Sequence, residues 1–228
     1  MAKDELINKF NYIGTRPNRP DGLDKVTGRA KYGADFNAPN MLHAAVLRSP
    51  HAHARIIKID TSKAEALSGV KAFVTRADFP TGLKGEDFYL QENTIAGDRT
   101  LYDGHAVAAV AATSALAAKD AIKLIEVEYE ILPHVTDVDE AMRPDAPVIR
   151  KGAQDHTVPE GSPPNIVSYM DFGHGDLETG FSDADLIMEN TYKTEAAHQG
   201  YIEPHACVGQ LGQDGKGEMW ICLSLIHI

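Results

Sequence analysis

Gln199-Gly200-Tyr201-Ile202-Glu203-Pro204-His205 places an amide, a phenol, a carboxylate and an imidazole within seven residues. A carboxylate beside a histidine can work as an acid–base couple. Pro204 separates Glu203 from His205, so the local backbone does not orient one through the other. The segment therefore reads either as a direct contact to a cofactor or substrate channel, or as a structural turn. His51 and His53 stand two apart, between Arg48 and Arg55. On a strand both would face one side and could share a metal. Pro50 instead suggests a turn, and no third ligand is near in sequence. Packing and hydrogen bonding at a domain boundary is the better reading, with Arg48 and Arg55 binding backbone carbonyls or acidic partners. Around Gly28, Lys25 and Arg29 are candidate anion contacts, but the Gly-rich pattern that cradles phosphate is missing. A tight turn into the first strand is expected there. Gly173-His174-Gly175 lacks the third glycine and the apolar helix of a dinucleotide loop. Gly-x-Ser-x-Gly, His-Glu-x-x-His and a complete P-loop are absent from the 228 residues.

Composition narrows the classes. The chain is 43% hydrophobic and 24% charged, which is the balance of a soluble globular protein of one large or two modest domains. No apolar run approaches the ~20 residues a membrane helix needs. Met1-Ala2-Lys3-Asp4-Glu5-Leu6 is acidic where a signal peptide is apolar, so a cytoplasmic location is expected. A net charge of -11 argues against nucleic-acid binding. Cys207 and Cys222 are the two cysteines, without a Cys-x-x-Cys. The chain alone therefore cannot hold an iron–sulfur cluster or a Cys-rich zinc site, and two buried thiols are expected rather than a disulfide.

The elements that must position these residues follow from periodicity and punctuation. Residues 1–24 read as an extended arm with turns, lying on a partner or on a later domain. Strands are expected over 42–47, 55–60 and 70–75, with a short helix over 61–67 stopped by Gly69. Residues 81–100, polar with scattered glycines, read as a loop. Small apolar residues over 105–111 suit a strand buried on both faces. Thr113 or Ser114 then caps a helix over 115–125, where Ala115, Ala118, Ile122 and Ile125 recur at helical spacing. A half-exposed strand follows over 126–131, so 104–132 reads as one strand–helix–strand unit. A helical turn is expected over 137–142 and a Pro-rich linker over 143–165. Further on come a helix from Gly175 through Phe181, strands over 184–195 and 206–211, a hairpin turn over 212–217 and a return strand over 218–223. The second sheet so built is too small to stand without cover.

Four segments in order carry a resemblance: Asp24-Lys25-Val26-Thr27-Gly28-Arg29-Ala30-Lys31-Tyr32, then Arg48-Ser49-Pro50-His51-Ala52-His53-Ala54-Arg55-Ile56, then Tyr102-Asp103-Gly104-His105-Ala106-Val107, then Gln199 to Ala206. Together they resemble the opening of the molybdopterin-binding large subunit of the xanthine dehydrogenase and aldehyde oxidase family, over residues 21–220. The resemblance implies an α/β (α+β) fold: an arm over 1–24, a small hammerhead-like domain over 25–133, a linker over 134–165, and the incomplete start of the molybdopterin-binding domain over 166–228. It implies an oxidoreductase that hydroxylates an aldehyde or aromatic heterocycle carbon with oxygen from water. The cofactor would be molybdenum–molybdopterin, with or without a cytosine dinucleotide, held in the complete subunit. Iron–sulfur and FAD partner subunits would take the electrons in a hetero-oligomer, a separate-subunit arrangement suggested by Met1 lying so near the first matching segment. Gln199 and Glu203 are the residues whose family counterparts lead into the cofactor domain, and they are the candidate cofactor contacts. The Gly-rich loop, the metal-proximal glutamine and the catalytic glutamate are expected beyond residue 228, so no catalytic residue is assigned and the chain alone should be inactive. Leu225-Ile226-His227-Ile228 departs from the family pattern. One rival is a non-catalytic truncated binding or assembly module. The other is a small metal protein in which His51, His53 and His105 or His205 converge.

Overall fold

The computed structural model describes residues 11–222, so the end of the return strand and the divergent tail Leu225 to Ile228 lie outside the described residues. The chain divides into two units, one of residues 40–189 and one that joins residues 1–39 to residues 190–228. No helix of the described residues is long and apolar enough to cross a membrane.

The unit of residues 40–189 is built on two small antiparallel sheets. Strand β1 (His43–Arg48) leads through the Arg48 to His53 corner into β2 (Ala54–Asp60). Helix α1 (Gly22–Val26) precedes them in the chain and belongs to the other unit. A helical turn, α2 (Ser62–Glu65), connects β2 to β3 (Val70–Val74). Helix α3 (Gly85–Thr94) and the two-residue β4 (Arg99–Thr100) come next. Strand β5 (Ala106–Ala112), helix α4 (Ala115–Lys123) and strand β6 (Glu126–Ile131) close the series. The sheet orders are β1-β5-β3 and β4-β2-β6.

Strand β5 is the centre of the core. Its side chains are alanine and valine only, and Val107, Ala108, Val110 and Ala112 are at most 1% exposed. β1 pairs along one edge and β3 along the other, both antiparallel. Ser114 Oγ accepts the Ala117 N–H at 3.1 Å and starts α4, as expected of an N-cap. Ala118 and Ala121 on that helix are fully buried, and it packs against β1 and β5. Ala64, Ala108, Val110, Ala121 and Ile125 form the buried cluster, lined by Leu47, Ile59, Leu67, Val70, Phe73, Ile122 and Val127.

Residues 104–132 are strand, helix and strand, as expected, with β5 and β6 in different sheets because both neighbours of β5 come from upstream. Two elements differ from expectation. Residues 85–94, read as loop, form α3. No side chain caps this helix, and Phe88, Tyr89 and Leu90 remain exposed, so local signals are weak. It is held by tertiary bonds instead: Gln91 Nε2 donates to Pro80 O at 2.9 Å, and Arg150 Nε donates to Glu92 Oε2 at 2.6 Å. The expected strand over 184–195 is irregular chain, since no strand pairs with it among the described residues.

The Pro-rich connection is tied down rather than loose. After α5 (Val138–Ala141), Asn165 Nδ2 donates to Ala141 O at 3.1 Å and Pro147 O at 3.0 Å, and its Oδ1 accepts the Ile149 N–H at 3.1 Å. Helix α6 (Leu177–Ser182) follows, capped by Asp176 Oδ1 accepting the Thr179 N–H at 3.1 Å.

His105 is fully buried at the start of β5. Its Nδ1 accepts the Leu101 N–H at 3.2 Å, which leaves Nε2 to donate its proton to Glu92 O at 2.8 Å. The Tyr102 ring stacks on it at 4.3 Å. The ring is thus fixed in its neutral form, and burial lowers its pKa from 6.5. The unfolded chain then binds the extra proton first. The stability this neutral ring contributes is present above pH 6.5 and is lost as pH falls through the lowered folded value. The thermal midpoint should therefore drop as pH is taken below 6.5, and a His105→Gln variant should lose that part of the pH dependence. Differential scanning fluorimetry across a pH series checks this; parallel profiles for the two proteins would contradict it. Removing the three Asn165 bonds by Asn165→Ala should cost about 1–3 kcal/mol in urea unfolding, since its backbone partners are left unpaired. An unchanged midpoint would show that the turn does not depend on them.

Candidate functional site

The unit of residues 1–39 with 190–228 carries the Gln199–His205 segment. That segment leads into a hairpin of β7 (Cys207–Leu211) and β8 (Gly217–Ile221), paired from Cys207↔Ile221 to Leu211↔Gly217. The turn closes as expected from its residues: the Gly212 N–H donates to Lys216 O at 2.7 Å, and Gly215 takes φ 79°.

Glu203 and His205 do not meet. Glu203 Oε1 accepts the Gly33 N–H at 3.0 Å, across 170 positions of sequence. His205 Nε2 is hydrogen-bonded to the Tyr201 phenol instead, and the two rings are 4.5 Å apart. His198 adds a third ring 4.8 Å from Tyr201, and its Nδ1 accepts the Gly200 N–H at 3.0 Å. Gln199 sits between these groups on irregular, exposed chain. The segment is therefore a loop with two fixed points, the Glu203 carboxylate and the Tyr201–His205 pair, and with an exposed amide at its start.

The far side of the loop is fastened by Cys222. Its Sγ accepts the Ala206 N–H at 2.9 Å and faces Pro204 O at 3.3 Å. Both cysteines are free thiols, as expected, but neither is fully buried: Cys207 is exposed and Cys222 half-buried, because a lone hairpin leaves its first strand open to water. Phe36 stacks on Trp220 of β8 at 4.5 Å with the rings 21° apart. Gly33, Phe36, Trp220 and Cys222 were not suggested by any local motif, because the contacts that give them a role join opposite ends of the chain.

The other candidates make local contacts. His53 is 4% exposed and its Nδ1–H donates to Pro133 O at 2.8 Å. His51 lies edge-on to Tyr129 at 5.0 Å. Arg48 donates to Gly104 O at 2.9 Å and Arg55 to Glu130 Oε2 at 2.6 Å, which is the packing and carbonyl-binding arrangement. Among the described residues no three His, Cys, Asp or Glu side chains are placed to hold a metal. Lys25 pairs with Asp21 at 2.9 Å and Arg29 with Asp24 at 3.0 Å, so neither is an open anion contact. The expected turn into the first strand is α1 followed by Gly28 at φ 72° and a 3-10 turn over Gly33–Asp35.

The aldehyde oxidase and xanthine dehydrogenase a/b hammerhead domain matches residues 27–133, and the molybdopterin cofactor-binding domain matches residues 158–228. A probable xanthine dehydrogenase component of Bacillus subtilis (strain 168) is 36% identical over 216 residues, covering 94% of this chain and 27% of that protein. The nicotinate dehydrogenase large molybdopterin subunit of Eubacterium barkeri is 31% identical over 215 residues, covering 94% of this chain and 47% of that protein. The reconstituted CO dehydrogenase from Oligotropha carboxidovorans has a similar fold, with a TM-score of 0.75 at 30% identity over 97% of this chain and 28% of that one. The chain thus spans 27% and 47% of the length of those two curated relatives. With two domain matches in chain order and relatives aligned along nearly all of it, the chain belongs to the xanthine dehydrogenase and aldehyde oxidase family, carrying its hammerhead domain and part of its molybdopterin cofactor-binding domain.

Proposed function

We propose that this chain is part of the large subunit of a molybdenum hydroxylase, an oxidoreductase that hydroxylates an aldehyde or aromatic heterocycle carbon with oxygen from water. The observation that carries the reading is the order of the two domain matches, hammerhead at 27–133 and cofactor-binding at 158–228, in one short chain. In this reading residues 1–24 are an arm, 25–133 the hammerhead, 134–165 the connection, and 166–228 the opening of the cofactor domain. Iron–sulfur and FAD subunits complete a hetero-oligomer and carry the electrons away. The free state of Cys207 and Cys222 agrees with a cytoplasmic location.

The described residues do not make a cradle for molybdopterin by themselves. Around Gln199 stand a phenol, a carboxylate and two imidazoles, none of them permanently cationic, and Glu203 is already bonded to Gly33. A phosphate-bearing pterin needs cations or converging N–H donors. The Gln199–His205 loop therefore serves as one wall of the site: Gln199 can donate to and accept from a pterin edge, and Glu203 holds the wall in place. When bound, the molybdenum supplies the oxygen transfer and the acceptance of electrons.

The test is to tag this chain in its complete subunit, purify the assembled complex, and measure molybdenum, iron and flavin per large subunit. Near-stoichiometric molybdenum with iron and FAD on copurifying chains is expected, together with dye reduction by an aldehyde, purine or nicotinate. A stable complex free of molybdenum would favour a non-catalytic assembly module instead.

A further inference from the structure

Residues 32–36 lie inside the span that matches the hammerhead domain, yet in the structure they belong to the unit that carries the hairpin. Their local fold explains what they offer. The Tyr32 N–H donates to Asp35 Oδ2 at 3.0 Å and the Asp35 N–H returns to Tyr32 O at 3.0 Å, closing the 3-10 turn. The first N–H groups of such a turn have no partner within it. The Gly33 N–H is one of these, and Glu203 Oε1 takes it at 3.0 Å, a charge-assisted bond.

Two further contacts hold the same surfaces together. A Cβ on Gly33 would stand 3.0 Å from Cys222 Cβ, so the turn lies directly on the residue after β8. Cys222 has little freedom to retreat, because its Sγ accepts the Ala206 N–H at 2.9 Å. Two positions before it, Trp220 stacks on Phe36 at 4.5 Å. One turn thus touches the hairpin and the loop before it through a carboxylate, a backbone approach and an aromatic pair.

We infer that Tyr32–Phe36 act as a clasp on the Cys207–Ile221 hairpin, with Glu203 as a positioning residue that holds the Gln199–His205 loop in place for the cofactor. The last clause rests on the function proposed above; the clasp itself does not. Glu203 acts through the Gly33 backbone, and Gln199 is presented because the loop behind it is pinned.

Trp220 is the one tryptophan of the 228-residue chain, so its emission reports the clasp directly. In the full chain, Glu203→Ala should shift Trp220 emission to the red and speed Gly33 amide exchange about tenfold, the loss expected for one hydrogen bond to a charged acceptor. Glu203→Gln keeps a carbonyl acceptor and should restore both. Phe36→Leu, a milder change, should shift the emission with Gly33 exchange altered less. Amides of Val107 and Val110 in the other unit report whether each variant is folded. Unchanged emission and exchange in Glu203→Ala, or unchanged emission in Phe36→Leu, would overturn the clasp. In the assembled complete subunit, Glu203→Gln should retain molybdenum and Glu203→Ala should lose it. Equal loss in both would overturn the positioning role and make Glu203 a direct, charged contact. Absence of molybdenum from the wild-type complex would sink the proposed function while the Trp220 and Gly33 readouts still decide the clasp.

Discussion

The unit of residues 40–189 depends on a strand thin enough to be paired along both edges and packed closely beneath a helix. β5 is paired along both edges, and α4 lies over its face, so Ala108 and Val110 join Ala64 and Ala121 in one buried cluster. Alanine against alanine lets helix and sheet approach closely, but each methyl removes little apolar area from water. Stability must therefore come from close fit and from buried polar groups that find partners. His105 shows this at the head of the strand, where both ring nitrogens are bonded to backbone. The Arg48 to His53 corner serves the same strand. The Ser49 N–H donates to His105 O at 2.8 Å and Arg48 to Gly104 O at 2.9 Å, so the corner that carries His51 and His53 ties the end of β1 to the start of β5.

The other unit faces the opposite difficulty. A two-stranded hairpin is marginal in water, and β7–β8 has no third strand among the described residues. What steadies it is chain from far upstream, through Phe36 and Gly33. The loop that precedes β7 gains its geometry from the same source, since Glu203 reaches Gly33 rather than the neighbouring His205. Structure and candidate function therefore share one set of contacts.

How much of this was legible in the sequence follows the range of the forces involved. β6 was found residue for residue, because alternating Glu126, Val127, Glu128 and Tyr129 is a local pattern. The Ser114 cap and the 212–217 turn were equally local. α3 was missed because its reasons are distant: Pro80, Arg150 and Tyr102 hold it, and its own face is weakly apolar. The pairing of β5 with two upstream strands has no local signal, since adjacency in sequence does not decide sheet membership. In the candidate site, Gln199, Tyr201, Glu203 and His205 could be singled out by type, but not their partners. Glu203 meets Gly33 across 170 positions, a distance no motif spans.

The most direct measurement is an anomalous difference map at the molybdenum edge from crystals of the complete, assembled subunit. The expected result is one molybdenum peak per large subunit, with its pterin lying against the Gln199–His205 loop and Glu203 still bonded to the Gly33 amide. A molybdenum peak whose pterin leaves that loop untouched, or no peak at all, would contradict the reading of this chain as a wall of the cofactor site.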